Sequence, residues 1–354
     1  MPAARAGTGR PRVVALGGGH GLYSSLSALR LLDVDVTAVV TVADDGGSSG
    51  RIRRELGVLP PGDLRMALAA LATRSLGPDI GGTPMQWSTV LQHRMGGTGA
   101  LAGHPIGNLL LTGLMELYDD SVLALDELAA LVGARGRVLP MSEQPLDLIA
   151  EVRSVDPDDP VRRRRIRGQS AIAATAGRVT SIRLVPPDAP ACTEAVRAIM
   201  DADVVLLGPG SWFTSVIPHL LVPALAEALV TTTARRITVL NLEQQAGETD
   251  GFTPEEHLKA LREHCPRLTV DVVIADSDAV LDPSGLRSYL DKSGSRLLLV
   301  PVATTGDPAR HDPGRLSAAV AEAAGLNVVG GTSKDGKSGD GEAGQPRGTE
   351  QGVH

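Results

Sequence analysis

Short aliphatic runs alternate with helix-like stretches along most of this chain, and that alternation limits the fold more than any other feature. The runs occupy residues 13–16, 36–42, 204–207, 237–240, 270–274 and 297–300. Each is continuously apolar, which is typical of parallel strands that are buried on both faces. The pattern predicts an α/β fold with a doubly wound, mostly parallel sheet that is covered by helices on both faces.

Helical periodicity fills the intervals between these runs, at 22–32, 63–72, 106–118, 122–132, 215–229 and 254–264. The last begins with Thr253, Pro254 and Glu256, a capping box with proline at the first helical position. Between 136 and 185 the sequence is arginine-rich and β-like, which predicts a small inserted subdomain. We expect one Rossmann-type domain over 12–329, a disordered N-terminus at 1–11, and a disordered polar tail at 330–354.

Charge and cysteine content narrow the class of protein. Lys and Arg total 34 against 41 Asp and Glu, and the net charge of −7 argues against a nucleic-acid partner. The two cysteines match no disulfide or zinc spacing, as is usual in a reducing compartment. No run has the length of a membrane span and no apolar leader follows Met1, so we expect a cytoplasmic protein.

The first glycine-rich loop follows the first predicted strand and opens a helix. Its residues are Gly17, Gly18, Gly19, His20 and Gly21. Glycines let the backbone approach an anion closely, and a helix N-terminus offers free N–H groups. The loop lacks the dinucleotide fingerprint and the Walker lysine, so it predicts a phosphate ligand of another kind. The alternative is a tight turn without a ligand.

A second polar loop follows the second predicted strand, at the same edge of the sheet. It contains Asp44, Asp45, Gly46, Gly47, Ser48 and Ser49. The hydroxyl and amide groups suit phosphate oxygens, and Asp44 or Asp45 could bind ribose or base, or hold Mg²⁺ through oxygen. The alternative is a solvated turn. Mg²⁺ is the one cofactor that these residues suggest, and they do not require it.

Two further pairs stand at predicted helix starts. Asp63 could cap its helix or contact a ligand, and Arg65 in the first turn opposes the helix dipole, which suggests a phosphate partner. His104 and Asn108 lie four residues apart on one helix face. They form either a cap or part of a site.

Later loops repeat this chemistry after two more strands. One places Gly208, Gly210, Ser211 and Ser215 before a helix, where they could bind phosphate. After the next strand come further polar residues of the same edge: Asn241, Glu248, Thr249 and Asp250. Near the end of the domain, Arg310 could bind phosphate bidentately or lie in an exposed turn.

Together these loops resemble the YvcK/CofD-like family, in particular its YvcK branch of gluconeogenesis factors. Seven blocks in the family's order carry the resemblance: 14–21, 41–51, 59–65, 103–111, 208–218, 247–251 and 310–312. The resemblance implies a CofD-like, three-layer Rossmann-like core and a nucleotide-type ligand. By family position it also makes Tyr289 and Arg310 ligand contacts.

The two branches imply different functions. The YvcK branch implies binding of UDP-sugars, notably UDP-N-acetylglucosamine, and a role in cell shape and envelope synthesis on gluconeogenic carbon sources. Some of its members are phosphorylated by a serine/threonine kinase. The CofD branch implies a Mg²⁺-dependent transferase of coenzyme F420 synthesis, which moves a phospholactyl-type group from a guanosine diphosphate carrier to a deazaflavin.

The form of blocks 208–218 and 247–251 favours the YvcK branch. We therefore expect a nucleotide-sugar-binding regulatory protein without assigned catalytic residues, and the transferase is the alternative. A structural or adaptor protein would leave the glycine-rich loops unexplained. The sequence leaves the oligomeric state open, with a homo-oligomer among the options.

Overall fold

The computed structural model describes residues 9–78, 84–153, 159, 162–175, 177–245, 248–249 and 251–326. The strands, in chain order, are β1 (Arg12–Gly17), β2 (Asp35–Val40), β3 (Ser75–Pro78), β4 (Pro84–Gln86), β5 (Arg137–Pro140), β6 (Asp147–Arg153), β7 (Arg163–Arg167), β8 (Arg178–Val185), β9 (Val204–Leu207), β10 (Arg235–Val239), β11 (Val272–Asp276), β12 (Arg296–Val300), β13 (Ala303–Thr304) and β14 (Asp307–His311). The predicted disordered ends, 1–11 and 330–354, lie almost wholly outside the described residues.

A seven-stranded parallel sheet forms the centre, in the order β12-β11-β10-β9-β1-β2-β5. Its β1 and β9 cores are fully apolar and buried, as continuous aliphatic runs require when helices cover both faces. The prediction of a Rossmann-like, doubly wound sheet is confirmed. Counted along the chain, the sheet strands follow the order 3-2-1-4-5-6-7, the Rossmann order with one strand added.

The helices are α1 (Gly19–Leu29), α2 (Gly47–Leu56), α3 (Pro61–Leu71), α4 (Trp87–Gln92), α5 (Ile106–Tyr118), α6 (Ser121–Val132), α7 (Gln169–Ala173), α8 (Thr193–Asp201), α9 (Pro223–Thr231), α10 (Pro254–His264), α11 (Pro283–Asp291) and α12 (Pro313–Ala324). The capping box predicted for α10 is present: the Thr253 hydroxyl accepts from the Glu256 N–H, and the Glu256 carboxylate accepts from Thr253 N–H. The crossover from β1 through α1 to β2 and the crossover from β9 through α9 to β10 run in opposite directions across the sheet, so right-handed connections place α1 and α9 on opposite faces.

The helix predicted at 215–229 is broken. A π-helical turn (Trp212–Val216) and a 3₁₀ turn (Ile217–Leu221) precede α9. Proline lacks an N–H and disfavours helical geometry at the residue before it. Pro218 and Pro223 therefore interrupt a segment whose apolar periodicity alone predicts one helix.

The β-like segment predicted at 136–185 divides into two parts. Its first strand, β5, pairs in parallel with β2 and forms the edge of the central sheet. The antiparallel sheet β7-β6-β8 follows, and together with α7 it spans Asp147–Val185. The inserted, non-parallel part is thus shorter than the predicted range.

Within the described ranges, no single helix is long and apolar enough to cross a membrane. The segments Trp212–Leu221 and Pro223–Thr231 reach that length only as a pair, and they are bent by 83°. Both belong to the buried core beside β9.

Candidate functional site

The chain changes direction across the sheet at β1, which lies between β2 and β9. Ligands of doubly wound sheets bind beyond the carboxyl ends of the strands at such a point. The loops after β1 and β9 touch there, because a Cβ on Gly21 would overlap the carbonyl oxygen of Pro209 and the Cα of Gly210. Glycine is therefore required at position 21, and the first and fifth predicted loops form one surface.

Gly18 lies beneath this surface, with two buried oxygens beside it. A Cβ at position 18 would lie 2.5 Å from Asp63 Oδ2 and 2.6 Å from Thr41 Cγ2. Asp63 Oδ2 and Thr41 Oγ1 are fully buried and have no hydrogen-bond partner among the described residues. Buried polar atoms are nearly always paired, so these two mark a place where water, a cation or a ligand belongs.

The second predicted loop is the start of helix α2. The N-termini of α1, α2 and α3 lie at this edge of the sheet, and their N-cap residues, Gly18, Gly46 and Pro60, have no side-chain acceptor for the helix N–H groups. Ser48 and Ser49 lie in the first turn of α2 and are buried, whereas Gly47 is exposed. His20, in the first turn of α1, is also exposed.

Asp63 and Asp44 form the acidic part of the site. Burial, followed by the charge of Asp44, raises the pKa of Asp63 to about 7, although the Gly19 N–H and Arg65 oppose the shift. Burial also raises the pKa of Asp44, whose Oδ1 accepts from Gly46 N–H at 2.9 Å. The charge of Asp44 thus raises the pKa of Asp63, whereas the neighbouring charge that raises the pKa of Asp44 is that of Asp45.

Asp45 points away from this pair. Its Oδ1 accepts from Ser170 N–H at 2.9 Å, and its Oδ2 lies against Gly168. It therefore ties the α2 loop to α7 of the inserted sheet. Asp63 also lies close enough to Asp44 for the charge of Asp44 to raise its pKa, and a Mg²⁺ role for Asp44 or Asp45 stays a prediction.

Arg65 belongs to a chain of buried hydrogen bonds that joins α3, α5 and α2. Arg65 Nε donates to Asn108 Oδ1 at 2.9 Å, and Asn108 Nδ2 donates to Ser48 Oγ at 2.9 Å. Ser48 Oγ lies 2.7 Å from Nδ1 of His104. The four side chains are 1–7% exposed. The structure thus brings together two pairs that the sequence leaves separate, Asp63 with Arg65 and His104 with Asn108.

The Arg65 guanidinium has no counter-charge in contact. Among the described residues it forms no ion pair, and its only hydrogen bond runs from Nε. Burial, then repulsion from Arg94, lowers its pKa to about 10, while Asp63 and Asp44 act in the opposite direction. The group stays cationic at neutral pH. A buried cation at the N-terminus of an uncapped helix is suited to bind a phosphate.

A carboxyl group of the protein itself, that of Glu248, already lies against the fifth loop. Both carboxylate oxygens of Glu248 lie 2.6 Å from Ser211 Oγ, and the neighbouring Trp212 N–H donates to Gln245 Oε1 at 3.3 Å. Glu248 is 2% exposed, and burial raises its pKa. Ser215 is buried in the same turn, where its N–H donates to the Ser211 carbonyl. The position beside Ser211 that a phosphate could occupy is therefore taken by the side chain of Glu248.

The remaining residues of this segment have structural partners. Asn241 accepts from Gly210 N–H at 2.8 Å and donates to the Gly210 carbonyl at 2.9 Å. Thr249 Oγ1 accepts from Gln245 N–H at 2.9 Å. Gly208 has a left-handed φ of 74° at the end of β9. Asp250 lies outside the described residues.

A cavity of about 350 Å³ opens past the ends of β10 and β11 and includes Asn241 in its wall. Its lining carries four carboxylate residues and no Lys or Arg: Glu243, Glu255, Asp276 and Asp282. This part of the edge is therefore acidic, in contrast to the surroundings of Arg65. It is suited to neutral or hydrogen-bond-donating groups.

Tyr289 lies at the opposite end of the sheet. It lines a separate cavity of about 320 Å³ with Val270 and Ser295, which precede β11 and β12, and Arg262 Cζ lies 5.7 Å from its ring centroid. The structure does not bring Tyr289 to the glycine-rich loops. Arg310 is exposed on β14, beyond the carboxyl end of β12.

Comparisons with known proteins match most of this chain. The family model described as 2-phospho-L-lactate transferase CofD matches residues 13–305. The chain belongs to the CofD family. A Mycobacterium tuberculosis protein named as a candidate gluconeogenesis factor is 56% identical over 309 residues, covering 86% of this chain and 88% of that protein. The gluconeogenesis factor of Halalkalibacterium halodurans is 38% identical over 273 residues, covering 77% and 80%.

A solved crystal structure has the same fold as this CofD-family chain. The crystal structure of a UPF0052-family protein from Bacillus halodurans is 34% identical and superposes with a TM-score of 0.77. The match covers 89% of this chain and 99% of that one. The resemblance inferred from the seven sequence blocks is thereby confirmed.

In this CofD-family site, sequence reasoning missed Thr41. Its hydroxyl is buried and unpartnered beside Gly18, within the part of the chain that the structure describes. Thr41 opens the block 41–51, so its place immediately before the acidic loop is the signal that could have found it. No such signal indicated that Ser48, His104 and Asn108 form hydrogen bonds with one another.

Proposed function

We propose that this protein binds a nucleotide sugar, of the UDP-N-acetylglucosamine type, at the carboxyl edge of β1, β2 and β9. In this proposal it is a cytoplasmic regulatory protein that acts in cell shape and envelope synthesis during gluconeogenic growth. The names of its relatives support the link to gluconeogenesis. The ligand and the regulatory role are proposed from the resemblance to the YvcK branch.

The observation that carries the proposal is the guanidinium of Arg65, a residue that is 6% exposed and that forms no ion pair among the described residues. Burying a cation without a counter-charge is costly, and an anion that binds there removes that cost. The diphosphate of the ligand supplies such an anion. The first turns of α1, α2 and α3 add further N–H donors, of which the Gly19 N–H already binds Asp63.

The rest of the edge supports a ligand with a neutral end. Glu248 fills the anion position of the fifth loop, and the cavity past β10 is acidic. A sugar or nucleoside carries hydroxyl and N–H donors that carboxylates accept. The charged part of the ligand is therefore assigned to Arg65 and the neutral part to the side of β9 and β10.

Asp44 and Asp63 fit a Mg²⁺ ion bound with the ligand. Both are oxygen donors, and Asp63 Oδ2 is buried without a partner in the described structure. Ionising Asp63 is unfavourable without a cation, because burial and the charge of Asp44 raise its pKa. Mg²⁺ held by these residues would offset the charge of the diphosphate.

The second candidate is the phospholactyl transferase that the matched family model describes. It requires the same phosphate site and, in addition, a deazaflavin acceptor and turnover. Serine/threonine kinase phosphorylation and homo-oligomer formation are part of the regulatory proposal. They rest on the resemblance to the YvcK branch, and phosphoproteomics and light scattering would test them.

Calorimetry tests the proposal directly. UDP-N-acetylglucosamine should bind with Mg²⁺ present, and Arg65→Gln should weaken binding at least about tenfold, since a charged hydrogen-bond donor is lost. The matched control is Arg197→Gln, an exposed arginine on α8, which should bind as the wild type does. No heat with the UDP-sugar, together with turnover of a guanosine diphosphate substrate and a deazaflavin, would establish the transferase instead.

A further inference from the structure

The hydrogen-bond chain from Arg65 to His104 has a fixed direction. Arginine only donates, so Arg65 Nε requires the Oδ1 atom of Asn108 to face it. Nδ2 of Asn108 then faces Ser48 and donates to its Oγ. The Ser48 proton is left for Nδ1 of His104, 2.7 Å away. His104 is therefore the acceptor at which the chain ends.

A hydrogen-bond acceptor at position 104 maintains the donor-to-acceptor direction of the chain from Arg65 to His104. Without it, the best acceptor for the Ser48 hydroxyl is Oδ1 of Asn108, which that hydroxyl reaches only if the amide rotates. Rotation would turn Nδ2 toward Nε of Arg65, donor against donor, among side chains that are at most 7% exposed. Water cannot compensate a mismatch at that depth, so the guanidinium would leave its position.

We propose that His104 is a positioning residue of the anion site: by accepting from Ser48, it keeps the Arg65 fork directed at a bound diphosphate. The proposal rests on the function proposed above, since it assigns the ligand's diphosphate to Arg65. Burial, followed by the charge of Arg51, lowers the pKa of His104, and Glu55 opposes them. The imidazole is therefore neutral at neutral pH and can accept at Nδ1.

Two replacements of His104 separate positioning from packing. In His104→Asn, the amide Oδ1 takes the place of Nδ1, and we expect affinity for inorganic pyrophosphate within about twofold of wild type. In His104→Leu, the volume is kept and the acceptor is lost, and we expect affinity at least about fivefold weaker. His93→Leu, at an exposed histidine on the same segment, is the control and should bind as the wild type does.

A change in Asn108 provides an independent measurement. Asn108→Asp presents an acceptor to both Arg65 and Ser48, so Arg65 stays in place without help from His104. The new carboxylate also gives Arg65 a counter-charge, so Asn108→Asp by itself should bind pyrophosphate more weakly than the wild type. Measured against Asn108→Asp, at pyrophosphate concentrations that saturate that variant, His104→Leu should cost no further affinity. A purely structural histidine would cost the same in both backgrounds.

Calorimetry with pyrophosphate, with a melting curve for each variant, distinguishes the outcomes. Equal weakening in His104→Asn and His104→Leu, wild-type affinity in His104→Leu, or an undiminished loss in the Asn108→Asp background would each overturn the positioning role. In those cases binding by the wild type and its loss in Arg65→Gln would leave the proposed function standing. A wild-type protein that binds neither pyrophosphate nor UDP-N-acetylglucosamine would overturn both.

Discussion

Replacing Asp63 with asparagine should stabilise the ligand-free protein at alkaline pH. The pKa of Asp63 rises from 3.8 to about 7 on folding, mainly because the group is buried beside Asp44. A raised carboxyl pKa contributes stability that is complete below the unfolded value and is lost as the pH rises through the folded value. One unit corresponds to about 1.4 kcal/mol, so ionised Asp63 destabilises the fold by about 4 kcal/mol above pH 7.

Asparagine removes the ionisation and keeps the shape of the protonated acid. Its Oδ1 can still accept from Gly19 N–H. We therefore expect Asp63→Asn to exceed the wild type by about 4 kcal/mol in unfolding free energy at pH 8 and to match it near pH 4. About 3 kcal/mol of the difference should develop between pH 5 and pH 8.

Urea unfolding at pH 5, 6, 7 and 8, in metal-free buffer containing a chelator, measures this difference. The control is Asp278→Asn, at an exposed aspartate after β11, which should follow the wild type at every pH. Parallel pH profiles for wild type and Asp63→Asn, or a less stable Asp63→Asn at pH 8, would refute the assignment of a buried, shifted carboxyl group.

Three further changes address other parts of the edge. Gly21→Ala should destabilise the fold by about 1–3 kcal/mol in thermal unfolding, because its Cβ overlaps the Pro209 carbonyl; an unchanged melting temperature would contradict that contact. Glu248→Ala should cost about 1–3 kcal/mol, because buried donors at Ser211 lose their acceptor; urea unfolding measures it, and wild-type stability would show that the donors find other partners. Arg310→Ala should weaken nucleotide-sugar binding in calorimetry without a change in melting temperature, since the residue is exposed; unchanged affinity would remove Arg310 from the site.

The central sheet was predictable because its strands are buried on both faces. Five of the six apolar runs overlap strands whose cores are continuously buried, and the sixth forms β12 at the sheet edge. The same rule missed β5, which has four residues and ends in Pro140. A run that short can be identified as a strand only from its pairing with β2. The sequence does not reveal that pairing.

Helix α2 was missed for a different reason. Its first residues, Gly47, Ser48, Ser49 and Gly50, have low helix propensity and are typical of a turn. Tertiary contacts override that preference, because Ser48 is held by Asn108 and His104. What was predicted as a loop is therefore the first turn of a helix.

The site was predictable as a set of loops, and its internal partners were not. Position along the chain places the glycine-rich segments at the ends of parallel strands, which brings them to one edge. Ser48 and His104 are 56 residues apart, and Glu248 lies 37 residues from Ser211. Only the folded chain shows that Glu248 lies against Ser211 and that Arg65 forms no ion pair among the described residues.

The buried carboxylate of Glu248 gives the edge of the sheet an electrical polarity. Its negative end lies at β9 and β10, with the acidic cavity beyond, and its positive end lies at Arg65, near β2. A ligand with one ionic and one neutral half has only one low-energy direction along such a gradient. For the ligand proposed above, the ionic half would face Arg65 and the neutral half would face β9 and β10.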